Sequence, residues 1–278
     1  MRINPRFTDS LVRHTLNLQA YFTVGLLVVI ICIIFVKGIS NCGLSFILTY
    51  PEDMGRHGGI FPAIMGTVFL AALSIVFATP LGLGTAIYLT EYTRESRLTT
   101  VIRFGVESLA GIPSIIYGLF GFIFFVIKLG MGWSLLSGAL TMTIMILPTI
   151  IRTSEEAIKA VPRSLRIVSH SLGATKWETT VKVVLPSAAP GILTGIMLSI
   201  GRAVGETAAV IFTMGSSLRL PASFMDSGRT MAVHFSILAR EGISMEKAYA
   251  TALVLVMSIL AINILAYYIM NRVIAKYS

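Results

Sequence analysis

The sequence predicts an all-helical integral membrane fold with six transmembrane helices, and three observations carry the prediction. Hydrophobic residues make up 55% of the 278-residue chain and charged residues only 13%, with a mean hydropathy of +0.83. That balance leaves too few ionisable groups to coat a soluble surface. The apolar residues gather into six runs, each reaching the roughly 20 residues a helix needs to cross hydrocarbon. Lys and Arg, finally, fall unequally on the two sides that those runs define.

The predicted spans are 18–36, 62–89, 108–127, 134–151, 191–214 and 248–270. The first follows Arg2, Arg6 and Arg13 and so resembles a secretory leader. Its apolar run is too long for one, and Lys37 to Asn41 offers no small-x-small cleavage site, so it reads as a retained helix. The second lies in a stretch without charge from 58 to 90, longer than an upright span needs; it reads as tilted or as starting on the surface, with Pro80, Gly82 and Gly84 as kink positions.

Counted over alternate loops, one side carries Arg2, Arg6, Arg13, Arg94, Arg97, Arg103, Arg152, Lys159, Arg163, Arg166, Lys176, Lys182, Arg272 and Lys276. The other carries Lys37, Arg56, Lys128, Arg219, Arg229, Arg240 and Lys247. The richer side is expected to be cytoplasmic, which places both termini and the long fourth loop there. The net charge of +9 is then mostly orientation bias. Basic residues spread over inner loops, with no aromatic-lined soluble domain, do not make a nucleic-acid groove.

Other chemistry is thin. Cys32 and Cys42 give no disulfide framework. His14, His57, His170 and His234 are scattered without metal-ligand spacing and read as solvated or interfacial, so no metal is expected. The chain has no Gly-Lys dipeptide and hence no phosphate-cradling loop for a nucleoside triphosphate; nor does it have a serine elbow or a His-Glu-x-x-His pair. No enzyme active site is expected, and no cofactor on this chain. Any ATP and magnesium would sit on partner subunits. The thirteen methionines read as packing.

The most telling segment is 152–190. Ser154-Glu155-Glu156 reads as a helix start, and Pro162 as its stop or kink. A second short helix would carry Leu165, Val168 and Leu172 up to a turn at Gly173. Thr175 would cap a third, bearing Trp177, Val181 and Val184 and ended by Pro186. Two short amphipathic helices at an angle around a glycine suit either docking or lying flat on a membrane surface.

This pattern resembles the cytoplasmic loop of ABC-importer permeases, where nine residues separate a glycine from Ile-x-Leu-Pro. Here Gly173 precedes Val183-Val184-Leu185-Pro186. The acidic and alanine positions of that signature are Ile167, Val168 and Ser169, a departure that leaves the glycine-hinged shape intact. The resemblance extends over more than half the chain, through GGIFPAIMGT at Gly58, RFGVESLAGIPSIIYGLFG at Arg103, GWSLLSGALTMTIMILPTIIRTSEEA at Gly132 and GRAVGETAA at Gly201. These stretches look like the PstA-type permeases of phosphate importers.

The resemblance implies a type I importer permease (MetI-like) fold and a second permease subunit of the PstC type. It further implies two ATP-binding subunits of the PstB type and an extracytoplasmic phosphate-binding protein of the PstS type, all in a bacterial or archaeal cell membrane. The domain reading is 1–61 for the N-terminal segment, first helix and outer loop, 62–271 for the permease domain, and 272–278 for a cytoplasmic tail. Ser169, Leu172, Gly173, Ala174, Thr175 and Trp177 are expected to face the ATP-binding subunit.

Arg202 and Glu206 stand inside the fifth predicted span, where a charge costs on the order of 3 kcal/mol, so both are expected to face protein or water. Four residues apart, they would share a helical face and neutralise each other. The Arg-before-Glu order is nonetheless the weaker one for stabilising a helix, and the guanidinium fork suits phosphate oxygens. They are the expected pathway or gate residues, with Gly201 and Gly205 beside them for close helix approach. Glu107 and Ser114 are secondary pathway positions. Gly118 and Gly121 read as packing. The outer loop 215–247 is long enough to receive a binding protein or to pack on its neighbours. The alternatives are an ABC permease for another solute and, in a different class, a secondary transporter or channel with membrane lipid as its surroundings.

Overall fold

Hydropathy and helix breakers place the elements. The computed structural model describes residues 5–277. Arg2 and Ser278, counted above in the N-terminal segment and the tail, lie outside the described residues. Helix α1 (Pro5–Ile39) is followed by α2 (Leu44–Leu48) and a small antiparallel hairpin, β1 (Pro51–Glu52) with β2 (His57–Gly58), in the register Pro51 to Gly58 and Glu52 to His57. Helix α3 (Phe61–Ile87) continues through a wide π turn to Tyr92. Next come α4 (Arg97–Ala110) and α5 (Ser114–Gly121), the latter extended by π turns to Lys128. Then follow α6 (Leu135–Ala160), α7 (Arg163–Ser171), α8 (Lys176–Thr179), α9 (Leu185–Gly205), α10 (Ala208–Thr213), α11 (Met231–Arg240) and α12 (Met245–Tyr277).

Five helical stretches are long and apolar enough to cross a membrane unbroken, and the pair α4–α5, bent by 101°, brings the count to six when taken as one span. The predicted third span is therefore corrected: it breaks at Gly111-Ile112-Pro113, where proline cannot donate and its predecessor is pushed out of the α region. The fourth does not end at Ile151. Helix α6 runs on to Ala160, so Ser154 is a buried mid-helix residue and no helix start. Val161, extended at ψ 127° before Pro162, is the stop. Nor does Pro186 end the third loop helix, because a π turn over Thr180–Val184 carries α8 into α9. The Leu185 N–H reaches back to the Thr180 carbonyl there, and this widening makes room just ahead of the proline ring. The expected C-terminal tail is the end of α12.

Helix α6 is the centre of the bundle. Its Ala139, Met142, Met145, Ile146 and Ile150 are enclosed by Leu70 and Ala78 of α3, Tyr117 of α5, Val204 of α9 and Val210 of α10. Lipid is as apolar as these side chains, so close packing rather than escape from water must hold the helices together. Small residues permit it. A Cβ on Gly118 would lie 2.8 Å from the Ala209 Cα, and one on Gly191 2.6 Å from the Ala157 Cβ. The hydroxyls of Thr67, Ser74, Thr141 and Ser199 bond the carbonyl four residues earlier, which hides them from hydrocarbon. Helix α1 stands apart, packed mainly along α12 and otherwise exposed.

Candidate functional site

One end of the bundle carries α7 and α8. Helix α7 leaves Pro162, and the chain turns at Gly173, whose φ of +84° favours a residue without a Cβ. Thr175 then caps α8 as expected: its hydroxyl accepts from the Glu178 N–H at 3.2 Å, while the Glu178 carboxylate accepts from the Thr175 N–H at 3.0 Å. Leu172 is 83% exposed and Trp177 61%, and both project from this end with Ile167 and Val168. Ala174 is half-buried, and its carbonyl lies 3.1 Å from the His170 ring. Ser169 points inward instead, its hydroxyl 2.8 Å from that of Thr179, so it holds the two helices together.

Beneath this surface lies an ionic layer that sequence reasoning missed. The Arg166 guanidinium meets the Glu91 carboxylate at 2.7 Å and donates to the Val161 and Ile158 carbonyls. Glu155 receives Arg103 at 2.8 Å and Lys159 at 2.6 Å. Lys159 is half exposed, so water screens its share of the pairing, while Glu155 and Glu91 are largely withdrawn from solvent. The available signal was a lone acid, Glu91, just past a long uncharged run. Glu107 sits beside this layer, exposed on α4 in a small cleft with Arg103 and Arg152.

The second site is the break between α9 and α10. The predicted shared helical face is corrected: α9 stops at Gly205, and Glu206 is extended at ψ 135°. The Glu206 carboxylate accepts from the N–H groups of Thr207 and Ala209 at 3.1 and 3.2 Å and so starts α10. No ion pair with Arg202 forms among the described residues. Arg202, half-buried in the last turn of α9, has no ion-pair partner for its fork among the described residues. Among the described residues nothing packs against Gly201 or Gly205, so the expected close helix approach is not made within this chain, whereas Gly118 and Gly121 pack as expected. Ser114 is half-buried where α5 begins. A cavity of about 1120 Å³ leads away from the break between α5, α10 and α11; its polar wall includes Thr207, Ser216, Ser227 and Ser236.

At the end opposite α7 the long loop packs on its neighbours. Leu135 and Leu136 donate to the Asp226 and Phe224 carbonyls, and Arg229 donates to Ser216. His234 is corrected from solvated to buried, 1% exposed with the Arg229 guanidinium 3.1 Å from its Nδ1. Among the described residues no three His, Cys, Asp or Glu side chains gather as metal ligands.

Five unbroken crossings and one bent helix pair, packed about α6 with a glycine-turned pair of short helices displayed at one end, are the arrangement of a membrane permease. The sequence profile of the binding-protein-dependent transport system inner membrane component matches residues 78–278. The chain belongs to this family and is a permease subunit of a type I ABC importer. It is 31% identical over 290 residues to the probable ABC transporter permease protein YqgI of Bacillus subtilis (strain 168), covering 99% of each. It is also 38% identical over 221 residues to the phosphate transport system permease protein PstA 1 of Mycobacterium tuberculosis (strain CDC 1551 / Oshkosh), covering 78% of this chain and 71% of that one. In fold it is similar to a chain of a bacterial alginate ABC transporter, with a TM-score of 0.71, 15% identity and 96% of each chain covered. A chain of the inward-facing MetNI methionine ABC transporter gives 0.66 at 20% identity, covering 77% of this chain and 95% of that one.

Proposed function

We propose that this permease moves inorganic phosphate into the cell, with Arg202 as the residue that meets the anion in the membrane. The observation that carries the reading is a half-buried guanidinium with no carboxylate partner among the described residues, placed in the last turn of α9 just before the break to α10. An uncompensated cation there is costly unless something negative completes it, and a planar fork of donors fits phosphate oxygens. Relatives named as phosphate permeases support the same substrate. Glu206 starts α10 and keeps the break in place; Thr207 and Ser114 are neighbouring path positions. The cavity beside the break is the outer approach.

In this reading Leu172, Gly173, Ala174, Thr175 and Trp177 present the surface that ATP-binding subunits of the PstB type grip, with Ser169 bracing it from within. ATP and magnesium belong to those subunits. A PstC-type permease completes the pathway, and a PstS-type protein delivers phosphate from outside. The excess of Lys and Arg at the α7 end makes that end, and both termini, cytoplasmic.

The test is phosphate uptake by the assembled importer. Arg202→Gln is expected to lower it at least about tenfold without loss of assembly, the effect of losing a charged contact worth about 1.5–3 kcal/mol. Glu206→Gln keeps an acceptor oxygen for the Thr207 and Ala209 N–H groups and is expected to do less harm. Full phosphate uptake in Arg202→Gln, or delivery of a different solute by the associated binding protein, would count against the proposal.

A further inference from the structure

We infer that Arg166 is a positioning residue that fastens the docking helices to the ends of two membrane helices, α3 and α6, so that movement of the loop reaches the α9–α10 break. The inference rests on the reading of residues 163–179 as the surface gripped by an ATP-binding subunit, but not on the identity of the solute.

The geometry is specific. From α7, one guanidinium reaches the end of α3 through Glu91, at 2.7 Å from Nη2 and 3.1 Å from Nε. The same group donates to two carbonyls at the end of α6, Val161 at 2.7 Å and Ile158 at 3.0 Å. The Ile158 carbonyl also accepts from the Val161 N–H at 3.3 Å as α6 closes, and a cation at a helix C-terminus suits the dipole there. The side chains of Arg166 and Glu91 are only 20% and 10% exposed, so water competes weakly for them. Two lesser ties complete the fastening. Ser169 bonds Thr179 across the glycine turn, and Lys176 of α8 lies 5.2 Å from the centre of the Tyr92 ring at the end of α3.

Outside the fastening stand Leu172 and Trp177, open to a partner. Inside it, α8 continues through the π turn into α9 as one helical stretch, Lys176–Gly205, whose far end carries Arg202 and meets the break. A force on the loop that found α7 free would swing α7 alone. With Arg166 in place, α7, α3 and α6 move as one body relative to the continuous α8–α9 stretch. A lysine at this position reaches one acceptor well and leaves the others, because it lacks the fork.

The experiment uses the complete purified importer, permease pair with ATP-binding subunits, and follows hydrogen exchange with and without ATP and vanadate. In the wild type, nucleotide trapping should alter exchange both at 163–179 and at the break, 205–208. In Arg166→Gln and in Glu91→Gln the importer should assemble and hydrolyse ATP and still respond at 163–179, but lose the response at 205–208. The double variant should be no worse than either single one, since both remove one connection. Arg166→Lys should recover the distant response in part. A full response at 205–208 in Arg166→Gln overturns the inference, as does failure of both single variants to assemble, which would make the contact purely structural. A wild type with no response at 163–179 removes the docking reading itself, and the inference with it.

Discussion

Burial, aided by the neighbouring Arg229 charge, pushes the His234 imidazole down to about 4, and the sign of its effect on stability follows. In the unfolded chain the ring takes a proton near pH 6.5; in the fold it resists until about 4, so acid favours unfolding. The contribution is fully present above pH 6.5 and is lost as the pH falls from there towards 4, by up to about 3 kcal/mol. Thermal unfolding of the detergent-solubilised protein should therefore drop over that window. His234→Gln, which offers Arg229 an acceptor that does not titrate, should flatten the drop; an unchanged pH profile in that variant would exclude His234 as its source. At this scale the sequence told little. His234 looked like any other scattered histidine, and its burial is decided by Arg229 and by Gly55, whose added Cβ would lie 3.0 Å from the ring. Arg202 was legible because a charge in an apolar run is conspicuous. Its lack of a partner was not, because four-residue spacing implies a pair only while the helix continues, and this one stops at Gly205.

Among elements, what was legible was what is decided locally. The turn at Gly173 and the Thr175 cap follow from a positive φ and a four-residue hydrogen-bond exchange, both contained in the loop sequence. The course of α6 past Ile151 was not legible, because the buried Glu155 is held by Arg103 of α4, fifty-two residues earlier, as well as by Lys159 one turn on. The same local logic sets a prediction. Gly173→Val forces a β-branched side chain into the left-handed region at a cost of about 1–3 kcal/mol, while the space around it is open and the membrane helices are untouched. The protein should still insert with all its crossings. Co-purification of ATP-binding subunits should fall sharply, and uptake with it. Retention of both would take the glycine turn out of the docking surface.

For the whole molecule, the number of crossings and their order could be read from hydropathy because membrane thickness fixes helix length. The bend between α4 and α5 could not, since the bent pair keeps the overall apolar length of an intact crossing. Which end faces the cytoplasm rests on the distribution of Lys and Arg, and Cys42 tests it. This residue follows α1 at the end opposite α7, half-buried beside Phe46 and Ile60, while Cys32 sits within α1 against hydrocarbon. Burial pushes the Cys42 thiol above its usual value, so little thiolate is present near neutrality. A membrane-impermeant maleimide applied to intact cells should label Cys42 slowly at pH 7 and faster as the pH is raised, by about tenfold per unit while the thiol remains mostly protonated. Cys32 should stay unlabelled throughout, because no water reaches it. Labelling of Cys42 only after the inner face is opened would reverse the orientation and put the α7–α8 surface outside, where no ATP-binding subunit could reach it.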